Sequence, residues 1–514
     1  MNGLLLAALL GVALLVGGVV SQRTRLPEPL VLLVLGIAIG YLPPFGAIRL
    51  APEVVLTLFL PALLYWESIK TSTREARRNA RVILLSAIPL VILTAALVAG
   101  VGHLAGLGWA VAITLGAVVA PTDATAISPT VRGLPRRVRT VLQTESLIND
   151  GTALTIYAIA TAAVGAHREI DFGFGTLLFL GAYAGGIAIG VAVAYVVRAA
   201  RRLVRGTPLL ENTVSVLTPF LAYLPAERLH VSGVVAVVTC GLISTHFGPR
   251  AISVQARVQA QGFWELASSL VNGALFLLVG LQANQILQRL DGETPRVLGL
   301  GLVIALVVVV ARIAWVNTVP YLIRALDRRP VQRTMRVNAR QRQVSGWAGM
   351  RGAVSLAAAL ALGEEFPQYS ELLAITLVVI VFTLAVQGLT MPLVVRFARM
   401  PLDRSEQEEE ALAQRTMSDT AGAALEPLIE RLQIDEAAAD TVRRQYEEIH
   451  RTGGGWASLG QGSEGDLRRA LIGKKRESVI RLRDRGEIDD TVLRRMQDRL
   501  DIEELRLSPV RADD

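Results

Sequence analysis

Apolar residues arrive along this chain in runs of about 18–25, each long enough to cross a bilayer as an α-helix, and charge, Gly and Pro collect in the short segments between them. Reading runs against breakers predicts thirteen spans, near residues 2–21, 28–43, 52–68, 82–102, 108–128, 142–165, 174–197, 210–226, 229–247, 262–287, 296–324, 344–363 and 370–398. The first run lacks a basic leader and is too long for a cleaved signal segment, so it reads as a transmembrane helix. The expectation is an all-α polytopic membrane protein, residues 1–400, followed by a charged helical tail, residues 401–514.

Basic residues test the order of the spans. Arg74, Arg77, Arg78 and Arg81 follow the third span, and Arg132, Arg136, Arg137 and Arg139 the fifth. Arg198, Arg201, Arg202 and Arg205 follow the seventh, Arg250 and Arg257 the ninth, and a dense group from Arg324 to Arg342 the eleventh. Every second loop is therefore basic, which places those loops and the tail in the cytoplasm and the N-terminus outside a plasma (inner) membrane.

Two spans carry interruptions. Pro121 breaks the fifth at Ala120–Ala124, because it lacks a backbone donor and clashes with the preceding turn, and Gly346, Gly349 and Gly352 surround Arg351 in the twelfth. Broken segments at corresponding places in two halves point to a transport site. Spans 1–6 and 8–13 would then be inverted repeats, on this ordinal match alone.

Composition agrees with a membrane protein: of 514 residues, 52% are hydrophobic and 19% charged. The net charge of +8 divides unevenly, with 19 basic against 26 acidic residues in 401–514, leaving 33 against 18 in 1–400. Positive charge in short loops is a topology signal and not a nucleic-acid footprint. One cysteine, Cys240, and five histidines without ligand spacing give no disulfide framework, resident metal or cofactor. No nucleophile with a base lies near the spans, so an enzyme is not expected.

The chemistry concentrates in Glu145-Ser146-Leu147-Ile148-Asn149-Asp150-Gly151, since an intramembrane acid is a functional candidate by default. Glu145 and Asn149 stack one turn apart on one face, as do Ser146 and Asp150. Burial disfavours the charged form of a carboxylate, so Asp150 is the candidate exchange group, where an arriving cation must displace a proton; the plainer alternative is a structural hydrogen bond. Ser146 would complete the coordination, and Asn149, which does not titrate, would orient the site. Free carbonyls at the break, with Thr122 and Asp123, would supply hard oxygen ligands from the opposite wall. Asp123 could equally neutralise half-helix N-termini. Glu145 needs a cation if it stays ionised, and Arg351 inside span 12 is the expected structural partner. Glu227, Glu265, Asn272, Gln282 and Arg312 read as helix–helix glue or vestibule residues, and Glu67 and Lys70 as interfacial.

Ala120-Pro121-Thr122-Asp123, Glu145 to Gly151, Gly349-Met350-Arg351-Gly352-Ala353-Val354-Ser355 and Tyr223-Leu224-Pro225-Ala226-Glu227 together resemble the cation:proton antiporter-1 family, which includes sodium/proton antiporters of the NhaP type. The resemblance covers roughly residues 5–400. It implies inverted repeats, a homodimer, and a core (spans 4–6 and 11–13) moving against a dimerising scaffold (spans 1–3 and 8–10). It also implies that Thr122 (through its backbone), Asp123, Ser146 and Asp150 hold the cation, and that Glu145 pairs with Arg351. Sodium as the ion, with lithium as a substitute, comes from this resemblance, and the Asn149-Asp150 pair is similar to the electroneutral branch. Potassium/proton exchange on the same scaffold, a channel and a sensor are the competing readings. The partners expected are monovalent cations, protons, lipid and a second copy of the chain.

The tail reads as helices over 405–451 and 466–506, with Pro427 expected to kink or restart the first. Leu425, Leu428, Ile429 and Leu432 fall at helical spacing. A solvated appendage and a regulatory domain are the two readings of it.

Overall fold

A computed structural model of the chain describes residues 3–24, 26–41, 54–123, 134–165, 172–290, 292–326, 338–400, 403–452 and 462–507. No strand occurs among the described residues. The chain opens with α1 (Gly3–Thr24), α2 (Glu28–Gly40) and, after a π-helical turn at Val55–Phe59, α3 (Leu60–Lys70). Next come α4 (Thr73–Leu104), α5 (Trp109–Val119), α6 (Arg136–Gly165) and α7 (Phe172–Leu203). They are followed by α8 (Pro208–Arg228), α9 (Gly233–Ala251), α10 (Val254–Gln288) and α11 (Thr294–Leu326). The twelfth predicted span is two half-helices, α12 (Ala339–Trp347) and α13 (Ala353–Leu360). The thirteenth is α14 (Tyr369–Phe382), a π-helical segment Thr383–Gly388 and α15 (Leu389–Ala398).

Each predicted span overlaps one or more of these helices, and among the described residues six helices are long and apolar enough to cross a membrane by length and composition. Several begin earlier than their apolar runs. α4 starts at Thr73, where Ser72 accepts from Glu75 N at 3.2 Å as an N-cap, and Ser253 caps α10 in the same way. Such caps satisfy donors that a helix start leaves open. The polar first turns they extend hold the tail, which hydropathy does not register.

Close helix approach is set by small residues. A Cβ on Gly36 of α2 would lie 2.3 Å from the Leu277 carbonyl oxygen of α10, and one on Gly280 would lie 2.4 Å from the Leu33 carbonyl oxygen. Side chains larger than hydrogen would push these two helices apart.

The tail contains α16 (Ser405–Leu432), α17 (Glu436–Thr452), α18 (Ser463–Arg485) and α19 (Asp490–Leu507). Pro427 lies inside α16 and does not restart it. The division falls at Gln433, whose left-handed φ of 51° lets Ile434 N reach back to the Ile429 carbonyl, a helix-ending arrangement. Leu425, Leu428 and Ile429 are buried against Val442, Leu467 and Leu471, whereas Leu432, at the helix end, is exposed. A second small core joins Ala413 of α16 to Val479, Val492 and Met496.

The tail docks on the ends of the membrane helices through paired charges and capped termini. Arg136, at the start of α6, pairs with both oxygens of Glu409 at 2.7 and 2.8 Å. Arg494 donates to the carbonyls of Ile69 and Lys70 at 2.6 Å each, capping α3. Ser72 Oγ donates to Asp489 at 2.7 Å and Thr73 Oγ1 to Asp490 at 2.9 Å, beside the α4 N-terminus, where negative charge is favoured.

Candidate ion site

The two interruptions meet. After Val119 the chain leaves the helix, and Asp123 N donates to the Met350 carbonyl at 2.7 Å. α12 stops at Trp347 and α13 resumes at Ala353, so residues 348–352 form the matching unwound stretch. Residues 124–133, which would continue the fifth span, lie outside the described residues. Non-helical backbone at membrane depth needs its polar groups satisfied from within the protein, and Arg351 does much of this. Its Nε donates to the Val119 carbonyl at 2.8 Å, and its two terminal nitrogens donate to the carbonyls of Gly349 and Ala120. Cation and carbonyls are matched, because the C-terminus of a helix carries partial negative charge. Gly352 is required here: a Cβ would sit 1.8 Å from Asp123 Oδ2.

Arg351 is thereby occupied, and the expected ion pair with Glu145 does not form. Glu145 pairs instead with Arg312 of α11, with Nη2 and Oε1 2.8 Å apart. The Nε of Arg312 donates to the Ser345 carbonyl at 3.0 Å, so this arginine ties α11 to both α6 and α12. Hydropathy treated Arg312 as one polar residue in a long apolar helix. Its partner is 167 positions away in sequence and was not visible there.

The wall supplied by α6 lies as the helical period orders it. Ser146 Oγ donates to the Thr122 carbonyl, and Asn149 Nδ2 donates to Thr122 Oγ1 at 2.8 Å. Thr122, Asp123, Ser146 and Asp150 line one small cavity of about 10 Å³, close to the room one water or small ion needs. Asp150 is 2% exposed, and its Oδ1 has no hydrogen-bond partner among the described residues. Asn149 is fully buried, but it does not line the cavity and acts by holding Thr122.

Three further residues line the cavity that sequence reasoning placed elsewhere or did not single out. Glu67 of α3, taken as interfacial, stands opposite the α6 cluster, and Asn272 of α10, taken as helix glue, adds an amide. Ser355 of α13 is buried, and its hydroxyl has no partner among the described residues. The place of Glu67 one turn after the buried Leu63 was the available signal, masked by a neighbouring basic loop.

The small cavity lies between two larger ones along the same pair of helices. Toward the tail is a space of about 490 Å³ that includes Trp66 and Lys70 of α3 and Gln143 and Thr140 of α6. At the other end is one of about 500 Å³ with Leu56, Leu60, Leu154 and Tyr157, where Glu227 also lies. α3 and α6 therefore run antiparallel past three spaces in order, with the acidic cluster at the narrowest. No group of three or more His, Cys, Asp or Glu suited to a resident metal occurs among the described residues.

A family model described as sodium/hydrogen exchanger, transmembrane, matches residues 10–397. A Mycobacterium tuberculosis (strain ATCC 25618 / H37Rv) protein described as an uncharacterized Na+/H+ exchanger is 40% identical, over 98% of this chain and 96% of its own. The Na+/H+ antiporter ApNhaP of Aphanothece halophytica is 30% identical, over 80% of this chain and 78% of its own. The solved structure of the sodium proton antiporter MjNhaP1 from Methanocaldococcus jannaschii at pH 8 superposes with a TM-score of 0.56 at 18% identity. It covers 76% of this chain and 100% of that one, a likeness of fold.

Proposed function

Because this chain belongs to the sodium/hydrogen exchanger family, it is a cation:proton antiporter of a membrane and not an enzyme, and we propose that it exchanges sodium for protons one for one at Asp150. The observation that carries this reading is the buried Asp150 Oδ1, without a hydrogen-bond partner among the described residues, on the wall of an ion-sized cavity shared with Thr122, Asp123 and Ser146. A carboxylate holding a proton is a poor ligand for a cation, and one holding a cation does not hold the proton. Occupancy by either, combined with alternating exposure to the two flanking cavities, couples their opposite movements. Asn149, bonded to Thr122, adds no second proton carrier beside Asp150, which supports electroneutral exchange.

In this reading α4–α6 and α11–α15 form the mobile core, and α1–α3 and α8–α10 the scaffold that pairs two copies. The cavity then lies at their junction, with Glu67 and Asn272 contributed from the scaffold side. The protein resides in the plasma membrane with its tail in the cytoplasm. Arg351 and Gly352 are structural, fixing the crossing that presents Thr122 and Asp123.

The test is purified protein in liposomes carrying a pH gradient, with sodium, lithium or potassium added outside. Sodium and lithium are expected to dissipate the gradient, and Asp150→Asn to abolish the response. A potassium-only response would transfer the reading to potassium/proton exchange, and a full response in Asp150→Asn would overturn the site.

A further inference from the structure

Helix α19 roofs the 490 Å³ cavity, whose walls are the tail-side ends of α3, α6, α7, α9 and α10 with Ser215 of α8. The volume is that of a small-molecule site. Besides Ser244 Oγ and two nitrogens of Arg257, three buried donors on its lining have no acceptor among the described residues: Trp66 Nε1, Arg201 Nε and Gln497 Nε2. Their residues are 8%, 6% and 2% exposed, and they come from α3, α7 and α19. Buried donors left without partners are costly and uncommon, so each asks for an explanation. Three of them on one lining, all nitrogens that donate, match a ligand rich in oxygen acceptors.

The other basic residues on the lining face acids, carbonyls or a ring, with Lys70 4.4 Å over Trp66 and Arg139 3.5 Å from Glu406. Arg136 holds Glu409, Arg257 lies 2.9 Å from Asp501, Arg495 holds Glu410, and Arg494 caps two carbonyls. Arg201 is different: its recorded contact is with the Tyr65 hydroxyl at 3.5 Å, and no carboxylate pairs with it among the described residues. The acids on the lining do not answer it. Asp490 takes Thr73 and the Arg74 amide, Glu265 takes Gln261, and the Asp498 carboxyl is pushed above its ordinary range by burial and by Asp501. Trp66 also stacks with Trp264, centroids 6.2 Å apart and planes 15° from parallel, giving the cavity a flat aromatic wall.

We propose that this cavity binds a phosphate-bearing anion, held by Arg201 with Trp66 and Gln497, between the tail and the membrane helices. A guanidinium suits a phosphate because its planar donors match paired oxygens. The same chemistry is offered by a free nucleotide, by inorganic phosphate and by the headgroup of an anionic lipid. A ligand there would fasten α19 to α3 and α7, since one donor comes from each.

The experiment uses the full chain purified in neutral detergent, without anionic lipid, and reads thermal unfolding and tryptophan fluorescence. The probes are inorganic phosphate, adenosine monophosphate and phosphatidylglycerol in mixed micelles. At least one is expected to raise the unfolding midpoint of the parent, and the successful probe identifies the source. Its affinity should fall about tenfold or more in Arg201→Gln, and measurably in Trp66→Phe, which keeps the ring and removes the donor. Gln497→Leu supplies the same test from the tail if the α7 variant fails to fold. No stabilisation by any probe, or equal affinity in the parent and all folded variants, would overturn the proposal. The binding readout is independent of transport.

Discussion

Arg312 and Glu145 form a buried ion pair, 2.8 Å between Nη2 and Oε1, with side chains 3% and 8% exposed. The pair joins α11 to α6 five residues before Asp150, so it sets the height and rotation of the helix that bears the site. Its neighbour Arg351 is equally buried but serves carbonyls of the broken helix. Two arginines thus divide two tasks, one bracing α6 and the other closing the end of α5.

Removing one partner of a buried pair leaves an uncompensated charge, at a cost of roughly 3–5 kcal/mol, whereas replacing both with neutral groups of similar shape is tolerated far better. Glu145→Ala is therefore expected to lower the unfolding midpoint sharply, and Glu145→Gln with Arg312→Met to recover most of the loss. Arg351→Met should destabilise without being rescued by any change at Glu145. Thermal unfolding of the four variants in detergent decides this; rescue of Arg351→Met by Glu145→Gln would show that the pairing is wrong.

Gly352→Ala places a methyl group 1.8 Å from Asp123 Oδ2. Overpacking of this kind costs about 1–3 kcal/mol, and the strain falls on the carboxylate that lines the ion cavity. Transport in liposomes should drop far more than the fall in stability alone explains. Gly299→Ala, where a Cβ meets nothing within 4 Å, is the control and should transport as the parent does.

Glu67 faces Asp123, Ser146 and Asp150 across the small ion-site cavity. Glu67→Gln is expected to raise the sodium concentration for half-maximal transport about tenfold, equivalent to about 1.4 kcal/mol of binding. Lys70→Gln, on the adjoining turn but in the larger cavity, should change it much less. Equal effects of the two substitutions would return Glu67 to an interfacial role.

Tail docking should respond to pH in opposite senses at two acids. Burial raises the Asp489 carboxyl, but hydrogen bonds from Thr491 and Ser72 outweigh it and leave it below its ordinary value. Its contribution is therefore present above the unfolded-state pKa and lost as pH falls through the lower folded value. The Asp498 carboxyl is raised, by burial first and by Asp501 next. Its contribution is full below the unfolded pKa and disappears as pH rises through the folded value. Asp489→Asn should thus destabilise at neutral pH and less in strong acid. Asp498→Asn should stabilise at neutral pH and make no difference in acid. Unfolding midpoints of the full chain across that range read both signs.

The order of the helices, the breaks near Pro121 and Arg351 and the cluster from Ser146 to Asp150 were legible in the sequence. Each depends on a local rule: apolar run length, the missing donor of proline, and the stacking of residues four apart. The partner of Glu145, the place of Glu67 beside Asp150 and the docking of Arg136 on Glu409 were decided by tertiary structure alone. These depend on which side chains distant helices bring into contact, and hydropathy assigns a buried arginine no direction. Arg351 shows the limit: its burial could be expected from its span, but its partners are backbone carbonyls, which carry no sequence signature. They become available when one helix ends against the unwound stretch of another.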